Sequence, residues 1–206
     1  MFLLRPPTPA QTEQFLTAQR ALKATSYGEL CATREGQCPV GYLSDQHRFV
    51  LGAGEACFRR AVAALRSWQV FETPWVTLLN PDAPFEVGAT LALLVRHLGF
   101  YSLIGNRVVY LLEDERRVGF GYGTLEGHAF AGEERFVVEW LPTGEVVFEL
   151  FAFSRPALPL ARVGQPVVRR FQAAGAAQYG AAMVRAVQGP EASPHDPDGG
   201  SASSMP

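Results

Sequence analysis

VGFGYGTLEGHAFAGEERFVVEWLPTGEVVFELFAFSRP, residues 118–156, decides the fold. Its second half alternates. Phe136, Val138 and Trp140 share one side, with Glu134 at the start of that side, while Glu133, Arg135 and Glu139 take the other. In the next run Val146, Phe148, Leu150 and Ala152 are apolar against Glu145 and Glu149. Period-two alternation of this kind predicts two half-buried strands. Both apolar faces point the same way only if Leu141 stands opposite Glu145, which leaves the loop Pro142-Thr143-Gly144. A loop that short needs a positive φ at its end, and Gly144 supplies one. Residues 118–124 add a strand with Gly119, Gly121 and Gly123 on one side and Val118, Phe120, Tyr122 and Thr124 on the other. Stacked glycines weaken a strand, so they need a use: close backbone packing and bending, or room for a ligand. The register of this strand against the next stays open, because the loop between them absorbs one residue either way.

Upstream, residues 8–23 predict a helix, with Thr8 as cap, Pro9 in the first turn and Gln11 completing a capping box. Residues 27–42 read as an ordered loop that carries aromatics. Strands are expected at 45–51, 75–79, 90–97 and 107–113, with 98–106 turning between the last two. A helix is expected over 55–68, its stripe formed by Phe58, Val62, Leu65 and Trp68. Downstream, 157–187 has helical spacing through Leu160, Val163, Val167, Phe171 and Ala174, with a kink at Gly164 and Pro166. Residues 189–206 are too polar and too rich in Pro and Gly to pack, and form a disordered tail to a single domain spanning 1–188. Strands that follow one another, rather than alternating with helices, predict an α+β fold. The expected architecture is a curved antiparallel sheet of about six to seven strands wrapped around a long C-terminal helix.

Composition narrows the function. The 206 residues are 48% apolar and carry a formal charge of −2, which leaves no basic excess for nucleic acid. No apolar run reaches the ~18 residues that membrane insertion needs. MFLLRPPTP does not read as a secretory signal, and three cysteines without paired spacing read as reduced thiols, so the expected location is cytoplasmic.

Several segments together carry a family resemblance: YGELCATREGQCPVGY, HRFVLGAGEACFRRAVAALRSWQVF, LVRHLGFYSLIGNRVVYLL, GFGYGTLEGHAFAGEERFVVEW and FAFSRPALPLARVGQPVVRRFQ. They resemble the family known as domain of unknown function nineteen-ninety, from the first helix to about Val187. That membership implies no particular activity. The order of elements also resembles the START-like, helix-grip fold of the birch-pollen-allergen type. The second resemblance implies a cavity between sheet and final helix of the kind used for lipids, sterols or polyketides.

Candidate residues gather around that expected cavity. Tyr122, Phe136, Val138, Phe148, Leu150 and Phe171 would form its walls. Thr124, His128, Glu134 and Arg155 would supply polar groups, a pattern suited to a small hydrophobic or amphipathic ligand. His128 and Glu134, with Tyr122 as donor, would be the acid–base pair of a cyclase- or hydrolase-type enzyme. Alternatively they tie down their loop by hydrogen bonds, and the chain is an interaction module with a filled core. Whether it is an enzyme stays open. Arg96 and Asn106 are single polar residues beside apolar strands, for which structural pairing is expected. Gly52-Ala53-Gly54-Glu55 lacks the third glycine and the βαβ context of a dinucleotide fingerprint, and Glu55 would repel a pyrophosphate. No cofactor is expected. A metal site would need His47 and His97 to converge with further ligands, and none is expected. No Ser or Cys has the flanking pattern of a nucleophile.

Overall fold

The computed structural model describes residues 1–157 and 165–189; the side chains of 165–173 lie outside the described residues. The 118–156 reading holds. Strands β7 (Phe130–Trp140) and β8 (Glu145–Pro156) pair antiparallel, with Phe136 opposite Leu150 and Trp140 opposite Val146. Leu141 N–H donates to the Glu145 carbonyl at 2.8 Å, and Gly144 takes φ +89°. Strand β6 (Arg117–Thr124) sets Phe120 against Phe136 and Tyr122 against Glu134, which settles the open register.

The glycine face of β6 turns outward, and close packing accounts for two of its three members plainly. A Cβ on Gly121 would stand 2.3 Å from the Tyr110 ring, and one on Gly123 would stand 2.3 Å from the Tyr27 hydroxyl. At Gly119 the obstacle is the Phe136 carbonyl, at the same distance. The missing side chains therefore admit neighbouring protein on the outer face, not a ligand on the inner one.

The other described strands are β1 (Phe2–Leu3), β2 (Leu43–Ala53), β3 (Val76–Leu78), β4 (Thr90–Arg96) and β5 (Tyr101–Asp114). They complete an antiparallel sheet in the order β2-β8-β7-β6-β5-β4-β3, with β1 added beside the start of β5. The expected turn over 98–106 is corrected: β5 begins at Tyr101, pairs with Arg96 and stays extended through Asn106. Gly105 and the polar residues Ser102 and Asn106 hid this strand. Gly105 is needed because the Gln19 side chain crowds its Cβ position. A bulge at Val109 then exchanges faces, so that Val108 points inward opposite Tyr122 and Tyr110 points outward opposite Gly121.

Helix α1 (Pro9–Ala21) has the expected box: Thr8 Oγ1 accepts from Gln11 N–H, and the Gln11 side chain accepts from Thr8 N–H. Its Leu16 packs on Ala92 and Leu103 on the convex side. Helix α2 (Gly54–Arg66) and the final helix α3 (Gln165–Gln188) occupy the concave side. Ala176, Tyr179, Met183 and Val187 join one core with Phe71, Phe120, Phe136 and Phe148, and the Tyr179 and Phe136 rings stand 5.5 Å apart, edge to face. A Cβ on Gly180 would meet the Phe49 ring at 2.5 Å, so this glycine brings α3 down onto β2. The chain is thus an α+β helix-grip fold, its sheet curved around the C-terminal helix. Ala157, the expected start of the helix, is outside it, its N–H donating to the Ala129 carbonyl, and Pro166 falls within α3; Gly164, the rest of 158–164 and the tail 190–206 lie outside the described residues.

Candidate functional site

The concave surface is a grid set by register. One row across four strands reads Asp45, Ala152, Glu134, Tyr122; the row beside it brings Thr124 next to Asn106. Ala152 is the small member of the first row, and Gly175 and Ala176 of α3 face it across the interior. A Cβ on Gly175 would meet nothing within 4 Å among the described residues. Together these small residues leave a cavity of about 480 Å³ between sheet and helix. Ile104, Leu150, Ala152, Ala176 and Tyr179 supply apolar wall, and exposed Met1, Phe2, Trp75 and Arg96 mark its mouth.

Glu134 is the chemical centre. The Tyr122 hydroxyl donates to its Oε2 at 2.5 Å, and Tyr179 lies in hydrogen-bonding contact with Tyr122. Burial pushes the Glu134 carboxyl up to about 7; the Tyr122 hydrogen bond counteracts this, while Asp45, across Ala152, adds to it. Tyr122 and Tyr179 are both raised by burial and stay neutral. His128 borders the same cavity, and burial lowers it to about 4. Its Nδ1 accepts from Phe130 N–H at 3.0 Å, which puts the ring proton of the neutral form on Nε2. Among the described residues no hydrogen bond or ion pair joins His128 to Glu134; the bond to Phe130 N–H ties the His128 loop instead.

Of the residues expected at the site, Tyr122, Thr124, His128, Glu134 and Leu150 border the cavity. The Thr124 hydroxyl is already engaged by Gly132 N–H at 3.0 Å and by Ser26 Oγ at 2.6 Å. Phe136, Val138 and Phe148 are placed differently, in the closed core with no exposed surface, because Phe71, Phe120 and α2 fill that end of the concave side. Arg155 is engaged elsewhere, as structural pairing would have it. It occupies an outward position of β8 and stacks its guanidinium over the Tyr42 ring at 4.7 Å, on the outer side of the sheet from Glu134. The side chain of Phe171 lies outside the described residues. His47, His97 and His128 all border the cavity, yet among the described residues no three metal-type ligands come together.

Asn106 was undervalued. It lines the cavity at 1% exposure, and neither amide atom has a hydrogen-bond partner among the described residues. A lone polar residue in an apolar strand was the available signal; that it would lack a partner was not visible without coordinates. Glu133 was missed for a different reason. It stands on the face opposite Glu134, and the 24–42 loop covers it there. Tyr27 Oη donates to it at 2.6 Å, Cys31 N–H at 2.8 Å and Thr33 N–H at 2.9 Å, with the Thr33 hydroxyl a further donor. Beside it, the Arg135–Glu149 ion pair is buried under the same loop.

A family model described as a domain of unknown function, DUF1990, matches residues 26–182. The chain belongs to DUF1990. Apart from Met1 and Phe2, every cavity residue named above falls within that DUF1990 region. A relative from Deinococcus radiodurans, named UPF0548 protein, is 47% identical over 197 residues, covering 90% of this chain and 98% of the relative. One of the same name from Dictyostelium discoideum is 33% identical, covering 84% and 89%. Among solved structures, a hypothetical protein from Helicobacter pylori superposes with a TM-score of 0.52 at 12% identity, covering 80% of this chain and 96% of the other. At that identity the likeness concerns the fold alone.

Proposed function

We propose that this DUF1990 chain binds a small, mostly apolar molecule carrying a neutral hydrogen-bonding group, held between the sheet and α3. The observation that carries the reading is Asn106, a buried amide with neither atom paired among the described residues, in the wall of a cavity of about 480 Å³. Buried polar groups are normally satisfied, and an orphan bordering an enclosed space is satisfied by what enters that space. The volume lies within the ordinary range for small-molecule sites, and a mostly apolar wall with few polar groups is their usual make-up.

The polar groups also select the ligand's charge. Glu134 and Asp45 border the cavity, and among the described residues Arg96 is the one arginine there, exposed at the mouth. Among the described residues, a ligand carboxylate drawn inside would meet Glu134 and Asp45 and no buried arginine or lysine. A hydroxyl or amide would instead donate to Glu134 and complement Asn106. Thermal melting with 2-naphthol and with 2-naphthoate tests this preference. The neutral phenol is expected to raise the melting temperature and the carboxylate to leave it unchanged; equal or greater stabilisation by the carboxylate would overturn the charge assignment.

One observation favours a second reading, catalysis of the cyclase or hydrolase type. A buried carboxyl pushed up to about 7 and hydrogen-bonded to a tyrosine beside a cavity suits proton transfer. Here Glu134 would move the proton and Tyr122 would orient it, with the Nε2–H of His128 as a further donor. Turnover of any substrate should then depend on a group near pH 7 and disappear in Glu134→Gln. An interaction module with a filled core is disfavoured by the cavity itself.

A further inference from the structure

The large apolar side chains that the fold leaves exposed are unevenly distributed. Met1, Phe2, Leu4, Trp75, Leu98 and Phe100 belong to one corner, and the most exposed of them are Leu98 at 93% and Leu4 at 83%. Strand pairing holds this corner together. Phe2 stands opposite Ser102 and Leu3 opposite Tyr101, which carries Leu4 to the β4–β5 turn where Leu98 and Phe100 project. The Phe2 and Phe100 rings stand 6.0 Å apart, and His97 stacks on Phe100 at 4.4 Å. Arg96 N–H donates to the Trp75 carbonyl at 2.7 Å, fixing Trp75 beside the same turn. Leu98 makes no contribution to the core, and an isolated exposed leucine would need no explanation; a cluster of this kind does.

The two segments that build most of this corner carry only basic charges. Arg5 and Arg96 are exposed beside the apolar side chains. The chain carries no Asp or Glu from Met1 to Thr12, and none from Val87 to Leu112. Apolar and aromatic tips with exposed arginines beside them complement an anionic lipid surface, where the tips enter the headgroup boundary and the arginines meet phosphate. No described helix is long and apolar enough to cross a membrane, so the contact would be with the surface.

We infer that this corner docks on anionic bilayers and opens the cavity toward them. Met1, Phe2, Trp75, Arg96 and His97 belong both to the exposed corner and to the cavity wall. The docked face would therefore surround the entrance, and a mostly apolar ligand would pass between bilayer and cavity without crossing water. The docking itself does not rest on what the cavity holds.

The test is co-sedimentation of the full chain with vesicles of phosphatidylcholine alone and of phosphatidylcholine mixed with phosphatidylglycerol. Binding to the mixed vesicles is expected to exceed binding to the neutral ones by about tenfold, and to weaken as salt is added. Leu98→Asp should lower it by about tenfold or more, since an acid then sits at the most exposed tip. Leu98 is almost wholly exposed, so this variant should melt like the parent. Val40→Asp, at an exposed site on the loop over the outer face, should bind like the parent. No binding to either vesicle would overturn the inference. So would equal binding by Leu98→Asp, or sedimentation velocity showing a dimer that Leu98→Asp dissolves. No ligand is added or read out in these measurements, so their failure leaves the cavity reading standing, and an empty cavity leaves docking standing.

Discussion

Tyr122 and Glu134 stand directly opposite each other on neighbouring strands, and the phenol donates to the carboxyl oxygen at 2.5 Å from inside the concave face. The pair makes the pH dependence of stability testable. Burial raises the Glu134 carboxyl from 4.5 to about 7, so the folded chain keeps a proton that the unfolded chain releases. That contribution is fully present below about pH 4.5 and is lost as pH rises toward 7. His128 acts in the opposite sense: lowered by burial from 6.5 to about 4, its contribution is present above 6.5 and lost as pH falls through 4. Between these limits the two largely cancel in the parent. In Glu134→Gln only the histidine remains of the pair, so stability relative to the parent should rise with pH across 4.5–6.5, by up to about 1.4 kcal/mol per pH unit. Urea unfolding at a series of pH values measures the difference, and parallel profiles would refute the assignment.

Glu133 anchors the 24–42 loop through four donors. Glu133→Ala strands Tyr27 Oη and two backbone N–H groups under the loop, and should cost about 3–5 kcal/mol. Glu133→Gln keeps the shape and part of the bonding, and should cost about 1–3 kcal/mol. Hydrogen exchange at Cys31 and Thr33 should accelerate in both variants, more in the first. Unchanged protection there would mean that the loop is held by something else.

Two glycines should respond oppositely to alanine. Gly121→Ala drives a methyl group into the Tyr110 ring and should destabilise by about 1–3 kcal/mol. Gly175→Ala meets open space within a helix, and should stabilise by up to about 1 kcal/mol. Thermal melting of the two variants decides it; destabilisation by Gly175→Ala would mean that the space beside α3 is not open.

What the sequence made legible was what alternation and turn chemistry encode locally. Phe136, Phe148 and Gly144 were enough for the hairpin and its inward face, and Thr8 and Gln11 for the start of α1. The parity separating Glu133 from Glu134 was also readable, and it sent the right one to the concave side. Covering was not readable: whether Glu133 meets water depends on a loop a hundred residues away in the chain. Nor could local pattern tell a wall from a solid core. Phe136 and Leu150 are directly paired on one face, yet Phe71 and α2 close over the first while the second borders open space. The Val109 bulge, which reverses inside and outside midway along β5, has no local signature in a run as apolar as Val108-Val109-Tyr110. Arg155 was drawn toward Glu134 by its position in the chain, although the odd-numbered parity of β8 already turned it outward.

The central claim is that the space beneath α3 holds a molecule. Native mass spectrometry of the full chain purified from its own host, compared with Gly175→Leu prepared in the same way, tests it most directly. The parent should carry an added mass that leaves on denaturation, and the variant, with the space filled by leucine, should be folded and bare. A parent that is folded and has the mass of the bare polypeptide would contradict the account.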